Sequence, residues 1–418
     1  MSDLPLIPDA ARPALSHTSV FEGQERRLWS WGAIGLMVAS TVILSFQFGT
    51  PVNGDTELYR AAGLKLLHGQ PLYGDVPLEY PPYILPWWVL PSLAGSLHGF
   101  IVVFGLELLA VDLGLKWLLF ADARRSTGGA RALLPLAVWI VGSFFLLYVF
   151  LKRFDLVPAA LTLFAASLLF HGWPLLSGLL LAAGVGTKVY PLVLLPLFVV
   201  VAARQRRWQR FAAGTIAGLL PLALAAPLVP WWQFAQLHRD RGLQAESLYA
   251  SFVWLAHQFG AAAEWAHARA GTEIHGALAA RVLPIARLTW IMTVALSLLA
   301  TTFRAIRFDA IDPPRFARLA LVPLLAFVAF NFVLSPQYLI WLLGFLAVAA
   351  GAGWDWPLTC MALAIAAEPI LYPTPWYFHG YDLSHALVLC ARNLLLVAAW
   401  AGLLLKQDAP RVRQPQEV

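Results

Sequence analysis

Apolar runs of about 20 residues recur from residue 29 almost to the end of the chain, and that is the length a helix needs to cross a bilayer. Hydrocarbon offers no hydrogen bonds, so each run must satisfy its own backbone. For a series of such runs this leaves a bundle of helices as the fold. Charge agrees. Only 12% of the 418 residues are charged, against about 25% in a soluble domain. The chain is 60% hydrophobic with a mean hydropathy of +0.69. The expectation is an all-α polytopic membrane protein of about 12 transmembrane helices.

The first run covers 29–49. Others lie near 97–121, 132–150, 155–171, 174–187, 189–203, 211–229, 283–303, 315–334, 337–352, 354–371 and 385–405. The stretch 81–96 is short and carries Pro81, Pro82, Pro86 and Pro91, so it reads as a re-entrant or interfacial piece. The runs 174–187 and 189–203 form a short hairpin. Residues 1–28 are polar and lack the layout of a cleavable leader, so the first run is expected to stay as an anchor. The transmembrane domain then spans 29–405, between a cytoplasmic segment 1–28 and a cytoplasmic tail 406–418.

Basic residues orient the bundle. Arg26 and Arg27 precede the first run; Arg124, Arg125 and Arg131 follow the second. Arg204, Arg206, Arg207 and Arg210 share one loop, Arg304, Arg307, Arg315 and Arg318 another, and Lys406, Arg411 and Arg413 occupy the tail. An even number of crossings puts all of these, with both termini, on the cytoplasmic side. The loops 50–82, 230–282 and 372–384 then face outward. Loop 230–282 has Leu248, Phe252 and Leu255 at helical spacing and is expected to hold short helices. Arg60, Lys65, Lys152, Arg153, Lys188, Arg239, Arg241 and Arg392 remain outside, against the bias, and call for another explanation. The net charge of +6 lies in short loops between spans and is not a nucleic-acid signal. Two cysteines, Cys360 and Cys390, sit within apolar runs and support neither a disulfide framework nor a thiolate metal site.

The outer loop Asn53–Pro82 gathers Asp55, Glu57, Asp75 and Glu79 in a chain sparing of charge. Leu58, Ala62 and Leu66 mark an amphipathic helix lying in the interface, which would hold Asp55 at headgroup depth. There it has two readings: an N-cap for that helix, or a base that takes a proton from an attacking hydroxyl. Lys188 in Gly184-Val-Gly-Thr-Lys-Val-Tyr-Pro191 stands at a break between apolar pieces. At that depth it costs about 2.5–3.5 kcal/mol on insertion scales. It either snorkels to the surface or binds an anion. The segment His238–Ser247 offers His238, Arg239, Asp240, Arg241 and Glu246, as a solvated loop with its own ion pairs or as a phosphate-binding segment. Arg392 lies within the last run beside Asn393; it can bind an anion, snorkel, or pair with Asp382 or Glu368. Lys152, Arg153 and Asp155 read as a local structural ion-pair cluster. Glu107 and Asp112 serve helix packing or a cavity, and His68, His98 and His379 read as interfacial. No ATP-binding loop, His-Glu-x-x-His motif or serine elbow is present.

Taken in order, these features resemble a family. Asp55, Gly69-Gln-Pro-Leu-Tyr73, Tyr80-Pro-Pro82, Lys188-Val-Tyr-Pro191, His238–Ser247, Ser335-Pro-Gln-Tyr-Leu-Ile-Trp341 and Arg392-Asn393 are similar to GT-C polyprenyl-phosphate-mannose-dependent mannosyltransferases. Glycosyltransferase family 87 and the catalytic subunit of GPI mannosyltransferase I show the nearest patterns. The resemblance implies a GT-C-like bundle that moves a hexose, as mannose, from a polyprenyl-phosphate donor to a glycan or glycolipid acceptor on the outer face, with inversion and without a metal or other cofactor. It implies Asp55 as the catalytic base, and it leaves a second carboxylate open, because Asn53 stands where the GPI enzyme has an acid. Lys188, Arg241 and Arg392 are the expected donor-phosphate ligands. Glu57, Tyr80, His238, Glu246, Gln337 and Tyr338 are the expected further contacts. The other class that this chain admits is a secondary transporter or flippase of lipid-linked sugars. Such a protein would place its charges at the midplane between related halves.

Overall fold

The computed structural model describes residues 17–49, 54–73, 78–126, 129–268, 271–372 and 382–406. Asn53, Asp75, His379, Arg411 and Arg413, most of loop 372–384 and nearly all of the tail lie outside them. The described residues form a helical bundle. Its helices are α1 (His17–Ser45), α2 (Gly54–Leu67), α3 (Pro86–Ser92), α4 (Leu97–Ser126), α5 (Leu133–Phe145), α6 (Leu147–Phe150), α7 (Leu156–Phe170), α8 (Pro174–Thr187) and α9 (Leu195–Arg204). They continue as α10 (Trp208–Ala225), α11 (Phe234–Arg239), α12 (Leu248–His257), α13 (Ala277–Arg307), α14 (Pro313–Ala329), α15 (Leu339–Ala350), α16 (Trp356–Ala366), α17 (Glu368–Leu371) and α18 (Leu383–Leu405). Among the described residues four helical segments, Arg27–Phe48, Leu97–Ser126, Ala277–Arg307 and Leu383–Leu405, are long and apolar enough to cross a membrane. The other apolar runs also fold as helices, but shorter ones. Such segments are tolerated at membrane depth where protein covers their ends.

Small residues let these helices close on one another. A Cβ at Gly178 of α8 would lie 2.2 Å from the Phe211 carbonyl oxygen, and one at Gly214 of α10 would lie 2.0 Å from that of Leu175. Backbone meets backbone there, as small residues permit when lipid offers no hydrophobic drive between helices. Within α4, Asp112 and Lys116 pair at 2.5 Å, both fully buried. Trp139 of α5 donates to Asp112 at 2.7 Å and Lys116 donates to Thr41 of α1 at 3.1 Å. Two charges that would be costly alone thus tie three helices together; Asp112 serves packing. Glu107, a turn earlier, keeps Oε2 buried without a hydrogen-bond partner among the described residues.

The chain alternates between two ends. α7, α9, α13, α15 and α18 run one way, while α5, α8 and α14 return. The arginine-rich loops meet at one end. There Arg125 contacts His171, Arg204 donates to the Ile306 and Asp309 carbonyls, and Arg318 and Lys406 share Asp355. The opposite end holds the start of α7, the end of α8, and the segments 238–247 and 331–338.

Three expectations change. The helix expected after the first run is present, but its buried face is Thr56, Tyr59, Ala62 and Gly63, with Leu58 only half-buried. It starts at Gly54, so Asp55 sits in the first turn, where a carboxylate gains from the helix dipole, and is not the N-cap. Loop 230–282 holds the expected α11 and α12 and also an unexpected antiparallel sheet. This is β1 (Leu243–Gln244), β2 (Glu264–Ala268) and β3 (Gly271–His275), ordered β1-β3-β2 with Leu243 and Trp265 both opposite Ile274. The stretch 81–96 forms a 3-10 turn, Pro82–Ile84, and the seven-residue α3.

Candidate active site

The cluster at the end opposite the arginine-rich loops is built by five segments. α2 docks through Tyr59, which stacks on Trp88 of α3 at 4.6 Å, and through Gly63, whose Cβ would fall 2.4 Å from the Trp88 carbonyl. That contact fixes the first turn of α2 and with it Asp55. Arg60, on the same helix, donates to the Gly95 carbonyl at 2.6 Å, and Lys65 lies in the last turn, where a cation suits the dipole. Two of the outer basic residues therefore serve the helices.

The bundle breaks after α6, and residues 151–155 form a turn before α7. Arg153 leaves this turn to form an ion pair with Asp55. Asp155, 1% exposed, stands at the N-cap of α7, but its side chain makes no capping hydrogen bond. Instead it accepts from Lys188 Nζ at 2.6 Å and from Trp341 Nε1 at 2.9 Å. The local cluster expected of Lys152, Arg153 and Asp155 is thus replaced by two long-range pairs, because the turn aims the two side chains at different elements. Lys152 rests over the Tyr148 ring at 5.2 Å.

Lys188 stands where α8 ends, in extended backbone with φ −158°. The glycine two residues before it lets Tyr83 pack closely on the end of α8: a Cβ on Gly186 would meet the Tyr83 ring at 2.1 Å. Its ammonium lies 5.0–5.5 Å from the ring centres of Tyr80, Phe154, Tyr338 and Trp341. Such a cage of π-faces favours a cation taken out of water. Tyr338 and Tyr190 stack on either side of Trp341 at 4.2 Å and 4.1 Å, so the cage wall is rigid. Lys188 is held inside the protein and does not snorkel.

Arg241 reaches the same cluster from loop 230–282, 3.6 Å from Glu79. Burial pushes the Glu79 carboxyl above its ordinary value, with Arg241 and Lys188 opposing. The unexpected sheet holds Arg241 in place. The Gly242 N–H donates to Glu273 of β3 at 2.9 Å, and Arg287 of α13 donates to the Arg239 and Arg241 carbonyls. Gln244 donates to Ser335 at 2.7 Å and so ties this strand to the turn Pro336–Tyr338 that carries the buried Gln337.

The structure therefore brings together Asp55, Lys188, Arg241, Tyr80 and Tyr338, with Gln337 in the adjoining turn. Glu57 is exposed, on another face of α2. His238 on α11 is edge-on to Phe234 at 6.0 Å and keeps part of its surface in solvent, yet it faces the cluster: burial first, then Arg241 and Lys188, lower its pKa to about 4. Arg392 is spent elsewhere. It is fully buried, paired with Glu368 at 3.1 Å, and it donates with Asn393 to the Glu246 carbonyl at 3.0 and 3.2 Å. A guanidinium sealed in a protein ion pair is not open to a ligand, so the phosphate-binding expectation for Arg392 gives way to a structural one. Glu246 accepts from the Tyr372 hydroxyl; burial pushes its carboxyl up to about 8, with Arg392 opposing. Two residues of the cluster, Arg153 and Asp155, read in the sequence as part of a local ion-pair cluster with Lys152 and not as site residues; the one signal is Arg153, a cation on the wrong side of the bias.

No protein-family model matches the chain, and no curated protein matches it by sequence. Among solved structures, ArnT from Cupriavidus metallidurans bound to undecaprenyl phosphate is similar to this chain. The two share 15% identity over 89% of this chain and 77% of that one, with a TM-score of 0.48.

Proposed function

We propose that this protein is a GT-C-like membrane glycosyltransferase that moves a hexose, mannose in the first instance, from a polyprenyl-phosphate donor to a glycan or glycolipid acceptor on the outer face, like family 87 enzymes. One observation carries the reading. Opposite the arginine-rich end, three cations (Arg153, Lys188 and Arg241), each facing a carboxylate (Asp55, Asp155 and Glu79 in turn), converge within an aromatic-walled cluster. Cations held at fixed positions suit a phosphate that gains charge as it leaves. Stacked rings suit a sugar face or a prenyl chain.

In the proposed reaction the acceptor oxygen attacks C1 of the donor sugar, and its proton passes to Asp55. The C1–O bond to phosphate breaks and its electron pair stays on the phosphate, which Arg153, Arg241 and Lys188 hold. One displacement inverts the anomeric carbon and needs the acceptor in line on the face away from the phosphate. Asp55 reaches that role only when Arg153 leaves it, so the donor phosphate competes with Asp55 for the guanidinium. Asp155 and Glu79 keep Lys188 and Arg241 in position.

The test uses membranes or purified protein incubated with radiolabelled polyprenyl-phosphate mannose. Covalent transfer to an acceptor fraction supports the reading. Movement of the label across a sealed vesicle without any covalent product would make the protein a transporter.

A further inference from the structure

At the arginine-rich end, α13, α14 and α18 enclose a pocket of about 350 Å³. Four of its lining residues are basic: Arg304, Arg307, Arg318 and Lys406. Their ion pairs among the described residues use a single carboxylate, Asp355, which Arg318 meets at 2.7 Å and Lys406 also contacts. Arg304 donates to the Leu403 and Leu404 carbonyls at the end of α18, and Arg307 lies 3.8 Å from the Phe303 ring on its own helix. The pocket thus holds more positive charge than its acid balances. Its other wall is apolar: Phe303, Leu319 and Val322 among others. Above it α13 leaves Leu299 72% and Phe303 54% exposed, on a helix whose apolar window is only 11% buried within the protein.

We infer that this pocket binds the headgroup of an anionic phospholipid from the leaflet at the arginine-rich end, with an acyl chain lying along Leu299 and Phe303 of α13. Charge alone would suit any phosphate, and basic pockets between membrane helices recognise anionic headgroups in this way. The apolar track that continues from the basic mouth along the lipid-facing side favours the lipid over a free anion. The site is separate from the cluster at the opposite end and does not depend on the function proposed for that cluster.

The experiment reconstitutes the full chain in phosphatidylcholine vesicles with a trace of spin-labelled phosphatidylglycerol or spin-labelled phosphatidylcholine, and reads the protein-immobilised fraction of each. The wild type is expected to hold the glycerol lipid several-fold more strongly. The double variant R307Q/K406Q is expected to bring the two lipids close to parity, while R307K keeps the selectivity. R210Q removes an exposed charge from the same end outside the pocket and is expected to keep it as well. Equal retention of both lipids by the wild type would overturn the inference. So would unchanged selectivity in R307Q/K406Q, or an equal loss in R210Q. Inorganic phosphate that abolishes the selectivity at constant ionic strength would make this a free-phosphate site and overturn the lipid assignment.

Discussion

Asp55 and Asp155 both face a cation, but the pairs differ in exposure and therefore in what they can do. Arg153 and Asp55 are 20% and 29% exposed in their side chains, whereas Asp155 is 1% exposed beneath Lys188 and Trp341. A half-open pair can exchange its partner for a phosphate; Asp155, closed off beneath Lys188 and Trp341, instead holds the Lys188 ammonium in position. Replacing Arg153 by Gln is accordingly expected to lower kcat by about 10²–10³, the usual loss for a group that stabilises developing charge, with donor binding weakened as well. A donor titration and single-turnover rates check this. Glu246 gives a second prediction at this scale. Its carboxyl is raised from 4.5 to about 8 by burial, so the folded state keeps a proton that the unfolded chain releases. The stability that this contributes is complete below pH 4.5 and is lost as pH rises to about 8. Thermal unfolding in detergent between pH 5 and 9 should show a shallower loss for E246Q than for the wild type. Asp55, Lys188 and Arg241 were legible in the sequence because a charge beside or within an apolar run is costly and conspicuous. Arg153 was seen but given to its sequence neighbours, since nothing in a linear reading says that a five-residue turn will send alternate side chains to different helices.

Elements hold these residues through close backbone approaches. The crossing of α8 and α10 is the tightest example, and α8 delivers Lys188. Gly214→Val should destabilise the protein by about 1–3 kcal/mol, the range for an overpacked site, because the obstacle is the Leu175 carbonyl, 2.0 Å from the new Cβ, and not a flexible side chain. Denaturant or thermal unfolding in detergent measures it, and Gly32→Val, with nothing within 4 Å, should be silent. Helix positions were readable from apolar length; the run expected at 174–187 is α8 residue for residue. The sheet that positions Arg241 was not readable. Its strands are two and five residues long, and the sequence between β2 and β3 carries no Asn-Gly or Asp-Gly pair. The neighbouring helical spacing of Leu248, Phe252 and Leu255 dominates any pattern over that window.

On the scale of the whole molecule the two ends have separate chemistry. One gathers arginines on helix C-termini and on the carboxylates of Asp122 and Asp355; the other gathers cations around Asp55 and a wall of rings. On the positive-inside bias the first end is expected to be cytoplasmic, and cysteine labelling of an Arg131→Cys variant in sealed vesicles, which tests this, should then need a permeant reagent. A Glu57→Cys variant should label from outside. This separation is what an enzyme acting on a lipid-borne substrate at one surface requires. It contrasts with the midplane site of a transporter. The central claim is tested most directly by turnover of purified wild type and Asp55→Asn with labelled polyprenyl-phosphate mannose and an acceptor extract. The account predicts transfer by the wild type and a loss of about 10²–10⁴ in the variant, with folding and donor binding nearly unchanged. Wild-type turnover in a well-folded Asp55→Asn protein would contradict it.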